Sequence, residues 1–297
     1  MLKTKLASVA AAAVLSLGVM GSVQADPLTI ISGGFKFTID NYDSGTTRYP
    51  NGAPVCNTVA SCDTAAGINK APGSVGSVNT SADTMGIFSV ALITRISDNT
   101  VFWQKGTDGY LTGVFGNLMD HEVNAGCIGT SCVTSANSVG GTWALYMNNV
   151  DYDPTLGPLV GPGKDLNALT YPGITGGTLW LSGVFGTGAI AGDTTTTYTS
   201  TYNTATLAGG GQAYLDVTGG SAKNQFDTNG LTDLNGNKHD LFMDITFNDA
   251  DGKASSIGWT VTSAGQIKGN AVPEPGTMAL AGLALLGAGL ASRRRKA

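Results

Sequence analysis

Short runs of Val, Ile, Thr, Phe, Tyr and Trp alternate along most of this chain with clusters of Gly, Asn, Asp and Pro, and helical periodicity is hard to find between them. This is the pattern of strands joined by turns: β-branched and aromatic side chains suit a pleated surface, while Gly, Asn and Asp accept the backbone angles of tight connections. Ten strands are expected, at residues 35–39, 86–96, 101–104, 110–115, 142–147, 178–185, 195–207, 212–217, 241–248 and 257–262. In one of them Phe242, Asp244 and Thr246 alternate with Met243, Ile245 and Phe247, which places polar and apolar groups on mostly opposite faces, as a half-buried strand requires. The expected fold is all-β, an antiparallel sandwich of about ten strands, and a closed barrel fits the same pattern as the alternative. Gly (43) and Pro (10) together stay below the share of a low-complexity chain, roughly 25–30%, and follow no Gly-X-Y period, so collagen and linker readings drop out.

Two segments echo each other. Leu111-Thr112-Gly113-Val114-Phe115-Gly116 returns 70 residues later as Leu181-Ser182-Gly183-Val184-Phe185-Gly186. The stretch from Gly140 to Tyr146 is answered in the same way by Gly210 to Leu215. A duplicated hairpin pair and chance similarity among Gly-rich strands both fit, and two copies are too few for a solenoid or propeller.

The ends differ from the body. Lys3 and Lys5 precede an Ala/Leu/Val-rich stretch that closes on Val23-Gln24-Ala25 before Asp26, the layout of a secretory signal peptide (1–25) cleaved between Ala25 and Asp26 by signal peptidase. At the other end comes Pro273-Glu274-Pro275, with 18 uncharged residues between Glu274 and Arg293, and then Arg293, Arg294, Arg295 and Lys296. As a helix those uncharged residues reach roughly 27 Å, close to the hydrocarbon thickness of a bilayer, with the basic cluster as a cytoplasmic stop. Three segments follow: 1–25, a secreted all-β body at 26–271, and a tail at 272–297 containing a transmembrane helix. Without the two ends Lys plus Arg falls from 16 to 10 and Asp plus Glu from 21 to 20, leaving an acidic body with no basic stripe for nucleic acid.

The body carries four cysteines, Cys56, Cys62, Cys127 and Cys132, and export places them where disulfides persist. Three connectivities are open; Cys56 to Cys62 and Cys127 to Cys132 are favoured, because each close pair lies in turn-rich sequence. Catalytic parts are scarce. Only Glu122 would remain of two Glu once the tail is removed, His121 and His239 fit no HExxH helix, and neither a GxSxG elbow nor a Walker loop is present, so no catalytic residue is nominated. The run from Asp227 to Asp240 repeats carboxylates and amides. Asp233, Asn235 and Asn237 have the one-three-five spacing of calcium ligands, although Gly236 and Lys238 break the EF-hand pattern and an Asx-rich turn reads more simply. Trp103, Trp143, Trp180, Trp259, Tyr198, Tyr202 and Tyr214 are candidates for stacking on sugar rings, with core packing as the default for a strand Trp. The Thr run 194–201 reads as a polar strand.

Pro273-Glu274-Pro275, the Gly/Ala/Leu helix and the Arg-rich end resemble the PEP-CTERM sorting signal of Gram-negative bacteria. The resemblance implies recognition by exosortase, a membrane transpeptidase that cleaves near the Pro-Glu-Pro motif, so that the helix is a transient anchor. The same tail also carries the label ice-binding protein C-terminal domain, which describes the tail and implies no ice binding. The body, through GIFSVALITRISDNTVFWQKGTDGYLTGVFG and AYLDVTGGSAKNQFDTNG, is similar to flocculation-associated PEP-CTERM proteins. That similarity implies a non-enzymatic cell-surface or matrix protein that associates with exopolysaccharide in aggregation, flocs or biofilm. The alternative is a polysaccharide-active enzyme using paired Asp residues.

Overall fold

The computed structural model describes residues 33–44, 83–128, 131–158, 163–166, 168–203, 205–250, 254 and 256–272. Outside them lie the expected signal peptide with its Ala25–Asp26 cleavage site, Cys56 and Cys62, and the tail from Pro273 to Lys296. Among the described residues no helix is long and apolar enough to cross a membrane.

Each of the ten expected strands overlaps one of the structure, two of them only in part: β1 (Gly33–Ser44), β2 (Asp83–Arg95), β3 (Val101–Gln104), β4 (Tyr110–Ile128), β5 (Ser131–Asn148), β6 (Thr178–Gly186), β7 (Tyr198–Asn203, expected at 195–207), β8 (Ala208–Gly219), β11 (Leu241–Asp249) and β12 (Val261–Ala271, expected at 257–262). A small hairpin, β9 (Leu231–Thr232) and β10 (Lys238–His239), precedes β11. One short helix, α1 (Lys223–Phe226), follows β8.

The strands β1, β2, β4, β5, β6, β8, β11 and β12 each bond to the next in antiparallel register, and β12 returns to β1. The sheet therefore closes as an up-and-down barrel, and the sandwich expected as the first arrangement gives way to its alternative. Two positions around the wall are shared: β3 continues the line of β4 along β2, and β7 continues that of β6 between β5 and β8. Closure pairs the first and last strands, which would otherwise be open edges.

Glycine allows the wall to curve around large rings. Gly86 is registered opposite Phe115, Gly113 opposite Phe88, and Gly183 opposite Trp143. A methyl carbon placed on Gly86 or Gly183 would come 2.7 or 2.6 Å from the facing ring, and one on Gly141 would come 2.6 Å from Phe185. The two echoed segments do the same thing in the barrel: Gly113 and Gly183 each lie under a ring of a neighbouring strand, and Phe115 and Phe185 each cover another glycine. Such pairs let an aromatic ring lie flat along the inner wall, where a larger partner would force it off its rotamer.

The inner wall alternates with period two, so Phe35, Phe37 and Ile39 share a face with Asn41 and Asp43 further along β1. One end of the lumen is plugged. Phe226 of α1 packs edge-on against Phe35, with centroids 4.9 Å apart, and against Trp180 at 5.1 Å. The amide of Val272 donates to the Gln225 carbonyl at 2.9 Å, tying the end of β12 to this plug.

A second apolar cluster covers part of the outside. Met85, Ile87, Val114 and Ala144 point outward from β2, β4 and β5 and are buried by Leu166, Tyr171, Ile174 and Trp259 from the connecting segments. The Trp259 indole N–H donates to the Pro154 carbonyl at 2.7 Å, and the Tyr171 hydroxyl donates to the Gly157 carbonyl at 3.2 Å. These two bonds satisfy the polar ends of rings that are otherwise inside.

Candidate functional site

Opposite the covered half, the outer face of β8, β11 and β12 carries exposed and half-buried side chains. Phe242 lies between Tyr214 on β8 and Lys268 on β12, and Asp244 lies between Gln212 and Gln266. Tyr214 and Phe242 are half-buried with ring centroids 5.0 Å apart, while Gln212, Asp244, Thr246 and Lys268 are exposed. Alternation puts them there, because their chain neighbours Ala213, Leu215, Leu241, Met243 and Ile245 fill the lumen. The face thus offers two rings set among amides, a carboxylate and an ammonium.

His239 supports this aromatic pair from one side. It is 4% exposed and lies stacked on Tyr214, centroids 4.8 Å apart and planes 25° apart. Its Nδ1 lies 2.9 Å from Asp216 Oδ1 and its Nε2 lies 3.3 Å from Asp233 Oδ2, so the ring is held at both nitrogens. Neutral imidazole carries one N–H, and only imidazolium donates to both carboxylates together.

The run from Asp227 to Asp240 is a set of turns built on its own carboxylates. Asp233 accepts from the amides of Asn235 and Asn237 at 2.8 and 2.7 Å and from Asn237 Nδ2 at 2.8 Å. Burial pushes the Asp233 carboxyl up, but hydrogen bonds from Asn237, His239 and Asn235 outweigh it and hold the pKa at about 2. Asn235 turns away, accepting from the Gly192 amide at 2.7 Å and donating to the Asp193 carbonyl at 2.7 Å. Asp240 accepts from three backbone amides, those of Val217, Thr228 and Asn229. Within the expected calcium trio, Asn237 is bonded to Asp233 while Asn235 turns toward Gly192 and Asp193, and these hydrogen bonds are those of an Asx-rich turn. Among the described residues no cluster of three or more His, Cys, Asp and Glu side chains is arranged to hold a metal.

The other sequence candidates separate cleanly. Trp103, Trp180 and Trp259 are each 1% exposed and Trp143 is 6% exposed, so all four are core residues and none is a stacking platform. Tyr198 is buried, and Tyr202 lies parallel to Phe247 with its hydroxyl donating to Asp249 at 2.6 Å. The Thr run is not one strand: Thr195 and Thr196 bond through amide and hydroxyl to Asp193, whose carboxyl these contacts hold well below the usual range, and β7 begins only at Tyr198. Cys127 and Cys132 are directly paired in register near the tip of the β4–β5 hairpin.

The lumen holds a second feature. Between Phe37 and the end opposite the plug lies a cavity of about 60 Å³, lined by rings and aliphatic side chains and bounded by Asn41, Asp43 and Thr84. Asn41 Nδ2 donates to Asp43 Oδ2 at 3.3 Å, and the Ser263 hydroxyl donates to Asn41 Oδ1. Burial pushes the Asp43 carboxyl up to about 7, against a small opposing effect of the Asn41 bond. Nothing in the spacing of Asn41 and Asp43 marks them as unusual until β1 closes against β12.

Fold and faces together define a small closed β-barrel whose aromatic lumen is plugged at one end and which, among the described residues, exposes an outer face on β8, β11 and β12. Comparison with known families matches residues 271–296 to the PEP-CTERM protein-sorting motif, a span that contains Pro273, Glu274, Pro275 and the cluster from Arg293 to Lys296. The chain thus carries a PEP-CTERM sorting motif over residues 271–296, and such a tail implies export, processing by exosortase and transient membrane anchoring before display at the cell surface. No curated protein and no solved structure matches it.

Proposed function

We propose that this protein is a non-enzymatic component of the surface or extracellular matrix of a Gram-negative bacterium. It associates with exopolysaccharide and supports aggregation, floc or biofilm formation. The observation that carries the binding reading is the outer face of β8, β11 and β12, where the pair Tyr214 and Phe242 is flanked by Gln212, Asp244 and Lys268. Sugars present apolar C–H faces that pack on aromatic rings, and hydroxyls that bond to amides and carboxylates. His239, pinned between Asp216 and Asp233, holds the Tyr214 ring in place before any sugar arrives, which lowers the ordering cost of binding.

The paired-Asp enzyme has one point in its favour, since Asp216 and Asp233 flank a common centre. That centre is filled by the His239 ring, and Asp233 already accepts from three donors of its own turn, which leaves no room there for a water or a glycosidic oxygen. The test is co-sedimentation of the exported protein with the host's extracellular polysaccharide, with viscosity followed in the same tubes, in calcium and in chelator. Binding without loss of viscosity, equal in both conditions, is expected. Replacing both rings (Tyr214→Ala with Phe242→Ala) should weaken it by about tenfold, the equivalent of roughly 1.4 kcal/mol. Release of product sugars would install the enzyme in its place, and full binding by the double variant would move the site elsewhere.

A further inference from the structure

The lumen combines two features that each work against stability. A cavity of about 60 Å³ leaves its lining without partners on one side. Asp43, at the edge of that cavity, accepts one side-chain hydrogen bond, at Oδ2 from Asn41, and its burial disfavours the charged carboxylate. A single occupant would relieve both.

We propose that the barrel lumen binds a small apolar molecule carrying one hydrogen-bond donor, with the donor on the Asp43 carboxyl and the apolar part among Ile39, Phe88, Val90, Trp143 and Met243. The size follows from the space. At about 10–15 Å³ for each water-sized group, the cavity takes about four to six non-hydrogen atoms, a single small ring or a short branched chain. The polarity follows from the lining, where Asn41, Asp43 and Thr84 meet at one boundary and the remainder is almost wholly apolar. Asn41 donates to one carboxyl oxygen and is itself held by Ser263, so the acid is already oriented. A few convergent polar groups at the edge of an otherwise apolar concavity is the general form of small-molecule sites. An eight-stranded barrel is the size that holds one small ligand. The site is inside the wall and shares no residue with the exposed outer face, so the two readings stand or fall separately.

The test uses three ring compounds of one size: cyclopentanol, cyclopentylamine and methylcyclopentane. The exported protein is titrated with each while the Trp143 indole resonance and the thermal midpoint are followed, because Trp143 lines the cavity. Cyclopentanol and cyclopentylamine are expected to shift the resonance saturably and raise the midpoint, with methylcyclopentane binding at least tenfold more weakly. Cyclopentylamine is protonated near neutral pH, so which of the two binds more tightly distinguishes a hydroxyl from an ammonium as the donor. Asp43→Leu, which replaces the acid with an apolar group of similar size, should reverse the preference toward methylcyclopentane. Val90→Phe, which fills the space, should abolish all three responses. The proposal is overturned if no compound gives a saturable shift at millimolar concentration, or if Asp43→Leu leaves the order of affinities unchanged.

Discussion

The two ends of the barrel lumen are built from the same strands and differ in almost every chemical respect. At one end Phe35, Trp180 and Phe226 meet edge to face, and Ala222 and α1 seal them from outside. At the other, Asn41, Asp43 and Thr84 bound an incompletely filled space, with Ser263 behind Asn41. β1 contributes to both ends, Phe35 and Phe37 to the first and Asn41 and Asp43 to the second, all on one inward face. The plug is packed ring against ring, whereas the polar end retains a void and a carboxyl that burial makes hard to ionise.

The comparison makes three predictions beyond the binding tests. The largest effect is expected at the plug, where Trp180→Ala removes a ring that touches both Phe37 and Phe226. A loss of about 3–5 kcal/mol in denaturant unfolding is expected, and a loss under 1 kcal/mol would show that the plug is dispensable. At the polar end the signature is pH dependence. The folded Asp43 pKa of about 7 lies above the unfolded value of 3.8, so the folded state keeps a proton that the unfolded state has released. Stability from this group is complete below about pH 4 and is lost as pH rises to about 7, in total on the order of 4 kcal/mol. No charged neighbour contributes to the shift, and Asp43→Asn should therefore flatten this part of the stability profile. An unchanged slope would place the titration elsewhere. The smallest effect belongs to the wall between the ends. Gly183→Ala puts a methyl against the Asp216 backbone carbonyl and the Trp143 ring and should cost about 1–3 kcal/mol by overpacking, while Gly192→Ala, with open space around it, would lose only the effect of its positive φ.

Much of the wall was legible from residue order. Strands such as β3 and β11 fall at or within one residue of the expected positions, because local alternation and turn residues act within a few positions of each other. β12 was read at 257–262 and runs from Val261 to Ala271, since VTSAGQIKGNA has weak β-propensity and is a strand because β1 and β11 pair with it on both sides. Likewise β4 and β5 extend far beyond their apolar cores as one long hairpin, held by pairing through polar residues. The Asp-rich run was read for both of its uses, and the hydrogen bonds of Asp233 and Asn235 are those of the turn. Asn41 and Asp43, two polar residues on a strand, resemble an exposed face in the sequence until the opposite strand arrives.

Residue order alone was sufficient for the sorting tail and the all-β class, because each is written in contiguous stretches of sequence. Closure of the sheet, the plug, the cavity beside Asp43 and the outer face around Tyr214 and Phe242 arose only when distant strands met. Register between strands far apart in sequence decides which side of each strand is sealed inside and which stays in water, and one residue's slip would exchange the two.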